Sequence, residues 1–424
     1  MRTPNVTRCV IMSILTVLTS VSCEAEDSGN TALNVSSNGR YFIDRKGQPF
    51  FWQGDTEWEL FHLFSASDAR ALLQKRRDQG FNVLQVMVTG VYPEWGAMKG
   101  MKPWKEAQAW SNDDPLTPNE DYFRRVDAII ALAEEYDIVL VIGVYHSIDQ
   151  DKGRINVQNA RPWAKWLAQR YKNARNVVWS MYPHAVTSSE AVIQATVQGL
   201  IEGDGGTHLI TMHPDPSPKS SSFMHSASWL SFNTLQTWST DLANYDMVRV
   251  DYGKTPVKPV VDGEARYEEE DGTTPFEVRR AGYWACLAGG FYTYGHRDNW
   301  MSPQTWQDWL GTPGASQIKV LGDVFRSIAW WKLVPDQSVF VNSVKGDVAA
   351  RSSDGDWVLA YLAAQTPVTM NLSSIAASGS VMAWWIDPLT GARTTIGTIS
   401  TSGDHTFAPP NGWQDAILLI RTHP

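Results

Sequence analysis

The chain has little cysteine. Three cysteines occur in 424 residues, and two of them, Cys9 and Cys23, precede residue 24. Cys286 is the remaining one, so the sequence beyond residue 24 has no pair of thiols from which to form a disulfide. Because Cys286 lies in an apolar segment that reads as a helix, we expect a buried thiol at this position.

Charge is also scarce. Charged residues make up 19% of the chain, the formal net charge is -9, and no basic stripe runs along the sequence. We therefore expect neither nucleic acid nor an anionic membrane surface as a partner. The sequence also lacks a Gly-rich phosphate loop after a strand, HxH or HExxH metal spacing, and a G-x-S-x-G elbow. These absences argue against a nucleotide, a catalytic metal and a serine nucleophile, and we expect no cofactor.

The N-terminus carries a targeting signal. Two arginines precede the apolar run Val10–Val21, a pattern typical of a secretory signal and too short to span a membrane. Cys23 follows small residues as in bacterial lipoprotein attachment sites, and ordinary cleavage near Cys23 or Ala25 is the alternative. We expect a signal peptide over 1–23, a polar leader over 24–37, and a monomer that is secreted, periplasmic or lipid-anchored at the bacterial outer membrane.

Residues 38–332 alternate between two periodicities. Apolar runs bounded by turn residues are followed repeatedly by segments with helical spacing of apolar residues. About eight strand–helix units of this kind predict a (β/α)₈ TIM barrel rather than an open sheet. The predicted strands after the first are 81–88, 138–145, 176–179, 208–212, 229–235, 257–261 and 291–294, and the predicted helices include 67–80, 120–136, 159–171, 188–202, 240–250, 276–289 and 311–328.

From residue 333 the sequence pattern changes from strand–helix units to short strands. Short alternating strands are separated by turns such as Ser353–Gly355 and Asp387–Gly391. This pattern predicts a small antiparallel β-sandwich over 333–424. We expect it to pack against the barrel rather than to act as an independent binding module. The adjacent residues Trp384 and Trp385 should face opposite sides of one strand.

The segment from Val257 to Glu268 has the strongest catalytic signature. We expect a buried strand from Val257 to Val261, interrupted by Asp262-Gly263, with Glu264 and Arg266 just past its end. Parallel barrels present their catalytic groups at the C-terminal ends of the strands. Glu264 is therefore predicted to be a catalytic carboxylate, with Arg266 favouring its ionised form. A loop carboxylate without a catalytic role is the alternative.

Other polar side chains fall at predicted strand ends, which converge on one rim in a barrel. Aromatic residues, among them Trp58, Tyr182 and Trp238, would form apolar walls beside them and suit an uncharged, polyhydroxylated substrate. For any single polar residue, a purely structural role at the rim is the alternative. The predicted rim residues are Asp55, Glu57, His146, His184, His213, Gln236, Glu264, Arg266 and His296.

Several blocks of the sequence resemble one family. They include Gln53–Phe61 (QGDTEWELF), Leu167–Trp179 (LAQRYKNARNVVW), Leu209–Pro214 (LITMHP) and Pro259–Glu268 (PVVDGEARYE). Residues 38–424 are similar to glycoside hydrolase family 140, the apiosidase-like enzymes of plant-pectin breakdown. The resemblance implies a retaining glycosidase barrel followed by a β-sandwich, with the Glu of the D-G-E-x-R-Y-E block, Glu264, as nucleophile.

The resemblance also implies where the proton donor lies, and there this chain departs from it. The family's acid/base is an Asp in a Trp-x-x-Gly-Gly-Asp context, whereas this chain has Trp179-Ser-Met-Tyr-Pro-His184. Three explanations are open. His184 protonates the leaving group, since an unperturbed histidine has a pKa of about 6.5. Alternatively a carboxyl such as Asp149 or Glu57 does so, or hydrolysis has been lost.

Two hypotheses follow. The first is a secreted or lipid-anchored retaining glycoside hydrolase acting on plant or algal polysaccharide, with Glu264 as nucleophile and His184 at the acid/base position. The second is a non-catalytic carbohydrate-binding protein that uses the same pocket. In either case the substrate-binding residues are predicted to be Asp55, Trp58, His146, His213, Gln236, Trp238, Arg266 and His296.

Overall fold

The computed structural model describes residues 32–91, 105, 107–184, 187–214, 219–238, 241–298, 305–376 and 379–422. The predicted signal peptide and Cys23 lie outside these residues. The described chain begins with a three-stranded antiparallel sheet of β1 (Asn34–Val35), β2 (Phe42–Ile43) and β3 (Pro49–Phe50). Residues 34 and 35 were assigned to the polar leader, and this part of the prediction is corrected: Asn34 and Val35 pair with β2, and the neighbouring Leu33 is buried.

Seven parallel strands form the wall of the barrel in the order β7-β6-β5-β4-β10-β9-β8. Residues 209–213 take the eighth position in the wall. On one side their backbone is hydrogen-bonded to β7; for example, His213 N–H donates to Met181 O at 2.9 Å. On the other side Ser231 N–H donates to Ile210 O at 2.8 Å. The predicted strand over 208–212 is thus reduced to a single bridge at Ile210. The strands are β4 (Gln53–Thr56), β5 (Val83–Met87), β6 (Val139–His146), β7 (Val177–Tyr182), β8 (Asn233–Gln236), β9 (Val260–Glu264) and β10 (Phe291–Tyr294).

Helices follow each strand position in turn. Local signals set their ends: Ser65 caps one helix at Asp68 N–H, and Thr274 forms a capping box with Glu277 before Pro275. The predicted (β/α)₈ barrel is confirmed. The helices are α1 (Leu60–Leu63), α2 (Ala66–Asp78), α3 (Glu120–Glu135), α4 (Ser147–Asp151), α5 (Ala160–Tyr171), α6 (Glu190–Asp204), α7 (Ser220–Met224), α8 (Ala243–Tyr252), α9 (Pro275–Leu287), α10 (Trp306–Trp309) and α11 (Pro313–Arg326). Among the described residues, no helix is long and apolar enough to cross a membrane.

The N-terminal end of the barrel is closed by an aromatic floor. Phe42 of β2 is fully buried, and its ring lies 5.3 Å from Trp52, 5.1 Å from Phe232 and 5.5 Å from Phe291. Burying so much aromatic surface anchors the N-terminal sheet to the barrel. It also leaves the opposite end, where the strands terminate in polar residues, as the open rim.

The C-terminal residues form two packed antiparallel sheets, as predicted. A six-stranded sheet has the order β11-β13-β14-β19-β16-β17, and a three-stranded sheet has the order β12-β15-β18. Strands β11, β12, β17 and β18 were not predicted. The sequence of β17 is rich in threonine and lacks a clear apolar alternation, and the other three strands have only three or four residues. The strands are β11 (Leu333–Pro335), β12 (Phe340–Asn342), β13 (Val348–Ser352), β14 (Trp357–Leu362), β15 (Val368–Asn371), β16 (Ser380–Ile386), β17 (Arg393–Ser400), β18 (Asp404–Phe407) and β19 (Ala416–Arg421).

The six-stranded sheet is buried on both faces. Along β14, Leu359 and Tyr361 join the core shared with the barrel, whereas Val358 and Ala360 join the core between the two sheets. Tyr361 stacks on Tyr283 of α9 at 4.8 Å. In the same interface the buried pair of Arg279 and Asp415 is bidentate, at 2.6 and 2.8 Å.

Candidate active site

Glu264 is the last residue of β9 rather than a residue beyond it. The predicted strand over 257–261 is shifted by three residues, and Val257 is exposed. Asp262-Gly263 does not interrupt the strand. Gly263 fits because the barrel interior is crowded there: a Cβ at this position would lie 2.6 Å from the Thr234 methyl carbon. Gln85 Nε2 also donates to the Gly263 carbonyl at 2.6 Å.

Side chains from two other strand positions contact Glu264, and a side chain from a third contacts Tyr182 beside it. Tyr182, the last residue of β7, donates its hydroxyl hydrogen bond to Glu264 Oε2 at 2.7 Å. His213 Nε2 lies 3.3 Å from the same oxygen. Gln236, at the end of β8, has Oε1 3.1 Å from the Tyr182 hydroxyl. The predicted rim residues Glu264, His213 and Gln236 therefore do lie together.

The rings around Glu264 are arranged as a stack. Tyr182 lies between His146 and His213, with centroids 4.9 and 4.3 Å away and interplanar angles of 19° and 20°. Trp58 meets Tyr182 edge-on at 5.7 Å, and its Nε1 donates to the Tyr267 hydroxyl at 3.1 Å. These contacts come from five different strand positions, so the tertiary fold alone assembles them.

Trp238 completes one wall of the site. Its ring lies 5.6 Å from Tyr267, edge-on, and its backbone N–H donates to the Glu264 carbonyl at 3.3 Å. Its φ of 46° is in the left-handed region, which is uncommon for a bulky residue and marks local strain at the site.

Burial dominates the ionisation of this group of residues. It raises the pKa of Glu264 to about 7, opposed by hydrogen bonds from Tyr182 and Tyr267. It lowers the pKa of His213 to about 3 and that of His146 to about 4, so both histidines are neutral at pH 7. Glu264 is thus a carboxylate that is held in a dry environment beside neutral partners.

Arg266 does not take the role expected of it. Its guanidinium lies 3.5 Å from Asp271 on the exposed side of the loop that follows β9. The nearby charges of the Glu270 and Asp262 carboxylates raise the pKa of Glu264 further. The prediction that Arg266 favours the ionised form of Glu264 is corrected, because the side chain points to a different partner.

Asp55 lies behind the barrel wall. On β4, Gln53 and Asp55 face the helix layer, since Gln53 bonds to Ile318 of α11 and Asp55 lies 2.5 Å from Arg76 of α2. Glu57 lies 3.5 Å from the same arginine. Burial raises the pKa of Asp55, against the lowering effect of the Arg76 charge. Its predicted contact with substrate is corrected to a buried ion pair.

His296 lies on the same outer side. Its ring stacks on Trp309 of α10 at 5.1 Å, and its Nε2 is 3.8 Å from Glu269. Its Nδ1 accepts a hydrogen bond from Asp298 N–H at 3.1 Å. Burial lowers its pKa to about 4. The structure therefore places His296 in the loop packing after β10 and not among the residues around Glu264.

His184 lies just beyond β7, next to the stacked rings. Its Nε2 is 2.8 Å from Asp151 at the end of α4, and the side chain is about a third exposed. The positive charge of His184 contributes to lowering the pKa of His146, which places the two histidines within electrostatic reach. His184 and Asp151 together form a solvent-accessible histidine–carboxylate pair at the rim.

An open cavity lies beside His146. The empty space within it, including the part that is open to solvent, is about 650 Å³. Asp149 lines it and is buried, with Oδ2 accepting from His146 N–H at 3.1 Å as part of a capping box. Its Oδ1 is 3.6 Å from Arg154. Burial raises the Asp149 pKa to about 6. Further lining residues include Thr89, Trp110 and Asp113.

The sequence did not predict the roles of two tyrosine hydroxyl groups at the site. Tyr182 was expected to be only an apolar wall, and Tyr267 was quoted only as part of the motif. Both hydroxyls act on Glu264. The position of Tyr267 three residues after Glu264 was an available signal, whereas nothing in the sequence separates Tyr182 from the chain's other tyrosines. Within the described residues, no group of three or more His, Cys, Asp or Glu side chains is placed to hold a metal ion.

Comparisons with known proteins identify the family of the barrel. Residues 36–332 match the family model described as "Apiosidase-like, catalytic domain", and residues 334–421 match a model described as "Putative collagen-binding domain of a collagenase". A search of curated proteins found no match.

Two solved structures resemble nearly the whole chain. One, described as a glycoside hydrolase, is 26% identical, with 92% of this chain and 97% of that chain covered and a TM-score of 0.79. The other, a glycoside hydrolase family 5 protein from Bacteroides vulgatus ATCC 8482, is 25% identical, with 92% and 94% covered and a TM-score of 0.83.

Proposed function

This chain belongs to the apiosidase-like family of catalytic domains and is a glycoside hydrolase, and we propose that it uses a retaining mechanism with Glu264 as nucleophile. The observation that carries the proposal is the position of Glu264: a buried carboxylate at the end of a barrel strand, hydrogen-bonded by Tyr182. The finer assignment to glycoside hydrolase family 140 is part of the same proposal and rests on the D-G-E-x-R-Y-E block.

The substrate is a carbohydrate, and we place it among plant or algal polysaccharides from which the enzyme removes a sugar. The walls formed by Trp58 and Trp238 favour the apolar faces of a sugar ring. The adjoining polar cavity, which contains Asp113, Asp149 and Arg154, offers hydrogen-bonding groups for the remainder of an oligosaccharide.

His184, paired with Asp151, is the proposed proton donor. Protonated, its imidazole donates Nε2–H to the Asp151 carboxylate, which stabilises the imidazolium, and can give Nδ1–H to a leaving oxygen. Glu57 is disfavoured because it lies beside Arg76, behind the barrel wall. Asp149 is the competing donor, since it lines the cavity and its raised pKa keeps it protonated at mildly acidic pH.

Leaving-group dependence tests the proton donor. We expect His184→Ala to lower kcat/KM on pectic or algal oligosaccharides about 10²- to 10³-fold, because their leaving groups need a proton. Aryl glycosides with good leaving groups should lose less than about 10-fold. Asp149→Asn is the matched control, since Asn still accepts the capping bond from His146. If Asp149→Asn shows this split and His184→Ala does not, the assignment to His184 is wrong.

The stereochemical outcome tests the mechanism. A retaining enzyme should release the first-formed sugar with the anomeric configuration of the substrate, as measured by proton NMR during the reaction. An inverted first product would overturn the role of Glu264 as nucleophile. If a broad glycan panel shows saturable binding and no product, the chain is a carbohydrate-binding protein on a glycosidase barrel, the alternative favoured by the His at position 184.

The location is proposed from the N-terminal sequence. We propose export, with a lipid anchor on Cys23 or simple cleavage near Cys23 or Ala25, and a monomeric mature protein. Mass spectrometry of the N-terminal peptide from the natural membrane and soluble fractions distinguishes the two, because a lipidated cysteine adds a large apolar mass. An uncleaved N-terminus in both fractions would refute export by this signal.

A further inference from the structure

Tyr182 occupies an unusual position for a residue that the mechanism above does not use. It is the last residue of β7, its side chain is 7% exposed, and its ring is held between the rings of His146 and His213. Its hydroxyl is close to two acceptors, Glu264 Oε2 at 2.7 Å and Gln236 Oε1 at 3.1 Å. The double stack leaves the hydroxyl little freedom to move away from Glu264.

A phenol has one proton, so it cannot donate to both oxygens. The carboxylate is the stronger acceptor and the contact to it is shorter, so the proton goes to Glu264. The oxygen and nitrogen of an amide side chain are assigned and not observed. Turning the Gln236 amide by 180° makes its NH₂ a donor to the Tyr182 oxygen. The resulting chain of hydrogen bonds runs from Gln236 through Tyr182 to Glu264.

Burial raises the pKa of Glu264, and few groups at the site other than Tyr182 lower it. His213 is neutral at pH 7, and its Nδ1 is 3.4 Å from the Pro214 carbonyl, which favours a proton on Nδ1 and leaves Nε2 as an acceptor facing the carboxylate. The nearby carboxylates repel one another's charge. The titratable groups that face Glu264 are Tyr182, His213, Tyr267, Glu270 and Asp262.

We propose that Tyr182 is a positioning residue that keeps Glu264 ionised, through the hydrogen bond from its hydroxyl, and so sets the pH at which the nucleophile becomes active. The inference rests on the proposed role of Glu264 as nucleophile. It adds that the aromatic residue at the end of β7 acts through its hydroxyl, while the two histidine rings serve to hold that hydroxyl in place.

Tyr182→Phe tests this by removing one oxygen and keeping the ring stack. The ionisation of Glu264 is measured directly by ¹³C NMR of protein labelled at the glutamate carboxyl carbon, with Glu264→Gln identifying the resonance. Since a hydrogen bond to a charged group is a strong one, we expect the Glu264 pKa to rise by about one unit or more. The acidic limb of the kcat/KM profile should move upward by the same amount.

Tyr122→Phe is the matched control. Tyr122 is also fully buried, and its hydroxyl donates to the Val88 carbonyl at 2.6 Å, away from Glu264. We expect this variant to leave the Glu264 resonance unshifted. If Tyr182→Phe also leaves it unshifted while activity falls, Tyr182 has only a packing role. Covalent labelling of Tyr182 instead of Glu264 by a fluorinated substrate analogue would equally overturn the proposal.

The proposed roles of Tyr182 and Glu264 can be refuted independently of each other. The NMR titration needs no substrate, so it judges Tyr182 even if hydrolysis is never detected. Retained hydrolysis in Glu264→Gln would refute the nucleophile assignment, whatever the titration shows. A shifted Glu264 pKa in Tyr182→Phe together with an unshifted acidic limb would show that Glu264 ionisation does not control turnover, and would overturn the kinetic part of the proposal.

Discussion

Two polar clusters near the strand ends of this barrel are both built around carboxylates. They differ in the groups that contact those carboxylates. The inner cluster places Glu264 against Tyr182 and His213, inside the rim. The outer cluster places Asp55 and Glu57 against Arg76, between β4 and α2. Both clusters are buried.

The two clusters differ in how the negative charge of the carboxylate is stabilised. Arg76 supplies a full positive charge to Asp55, so the outer cluster is a closed ion pair whose removal affects folding. Glu264 receives hydrogen bonds from hydroxyl groups and has neutral histidines as neighbours, so its charge is only partly stabilised. A carboxylate left in this state is available for chemistry, which is typical of catalytic sites.

The largest effect expected from this comparison is on activity. Glu264→Gln removes the proposed nucleophile and should lower kcat/KM about 10⁴-fold on any substrate that the native enzyme cleaves, because in the proposed mechanism Glu264 forms the covalent intermediate. Initial rates on aryl glycosides measure this. Asp55→Asn, made in parallel, should retain activity in the fraction that is folded. Similar losses from both variants would show that the outer cluster is also catalytic.

Breaking the outer cluster should affect stability. Arg76→Leu leaves Asp55 and Glu57 buried without their cation and should lower the free energy of unfolding by about 3–5 kcal/mol. Arg77→Leu is the matched control, because Arg77 makes only an exposed contact of 3.3 Å with Asp137 and should cost less than about 1 kcal/mol. Denaturant unfolding compares the two. Equal losses would contradict the buried ion pair.

The pH dependence of stability should report the burial of Glu264. The Glu264 pKa rises from 4.5 to about 7 on folding, so the native state binds its proton more tightly and stability falls as pH rises from about 4.5 to 7. Glu264→Gln removes this cost and should be more stable than the native protein by about 1–3 kcal/mol above pH 7, with little difference at pH 4.5. A constant difference across this range in urea titrations would refute the pKa shift.

The smallest effect should come from neutralising Asp55 while keeping its shape. Asp55→Asn retains an oxygen that accepts from Arg76 but loses the charge, so we expect a loss of about 1–2 kcal/mol, less than for Arg76→Leu. Thermal unfolding of the single variants and of the Asp55→Asn/Arg76→Leu double variant measures the coupling. Strict additivity of the two losses would mean that Asp55 and Arg76 do not interact.

Much of the fold was readable from periodicity. The alternation of apolar strands and amphipathic helices predicted the barrel, and the turn-rich alternation after residue 333 predicted the sandwich. The failures have physical causes. The predicted strand at 257–261 is displaced because Asp262-Gly263 looks like a turn, yet Gly263 is needed where the wall approaches Gln85 and Thr234. Strands β17 and β18 carry too few apolar residues to be recognised.

The sequence by itself determined the architecture and singled out Glu264 as the candidate nucleophile, because strand and helix periods and a compact motif are local properties. Only the tertiary structure decided which strand-end residues share the site. Successive side chains of a strand face opposite sides, so a shift of one residue separates an inner residue from an outer one. Asp55 and Glu264 both lie near the C-terminal end of a strand, yet the fold turns one toward Arg76 and the other toward Tyr182.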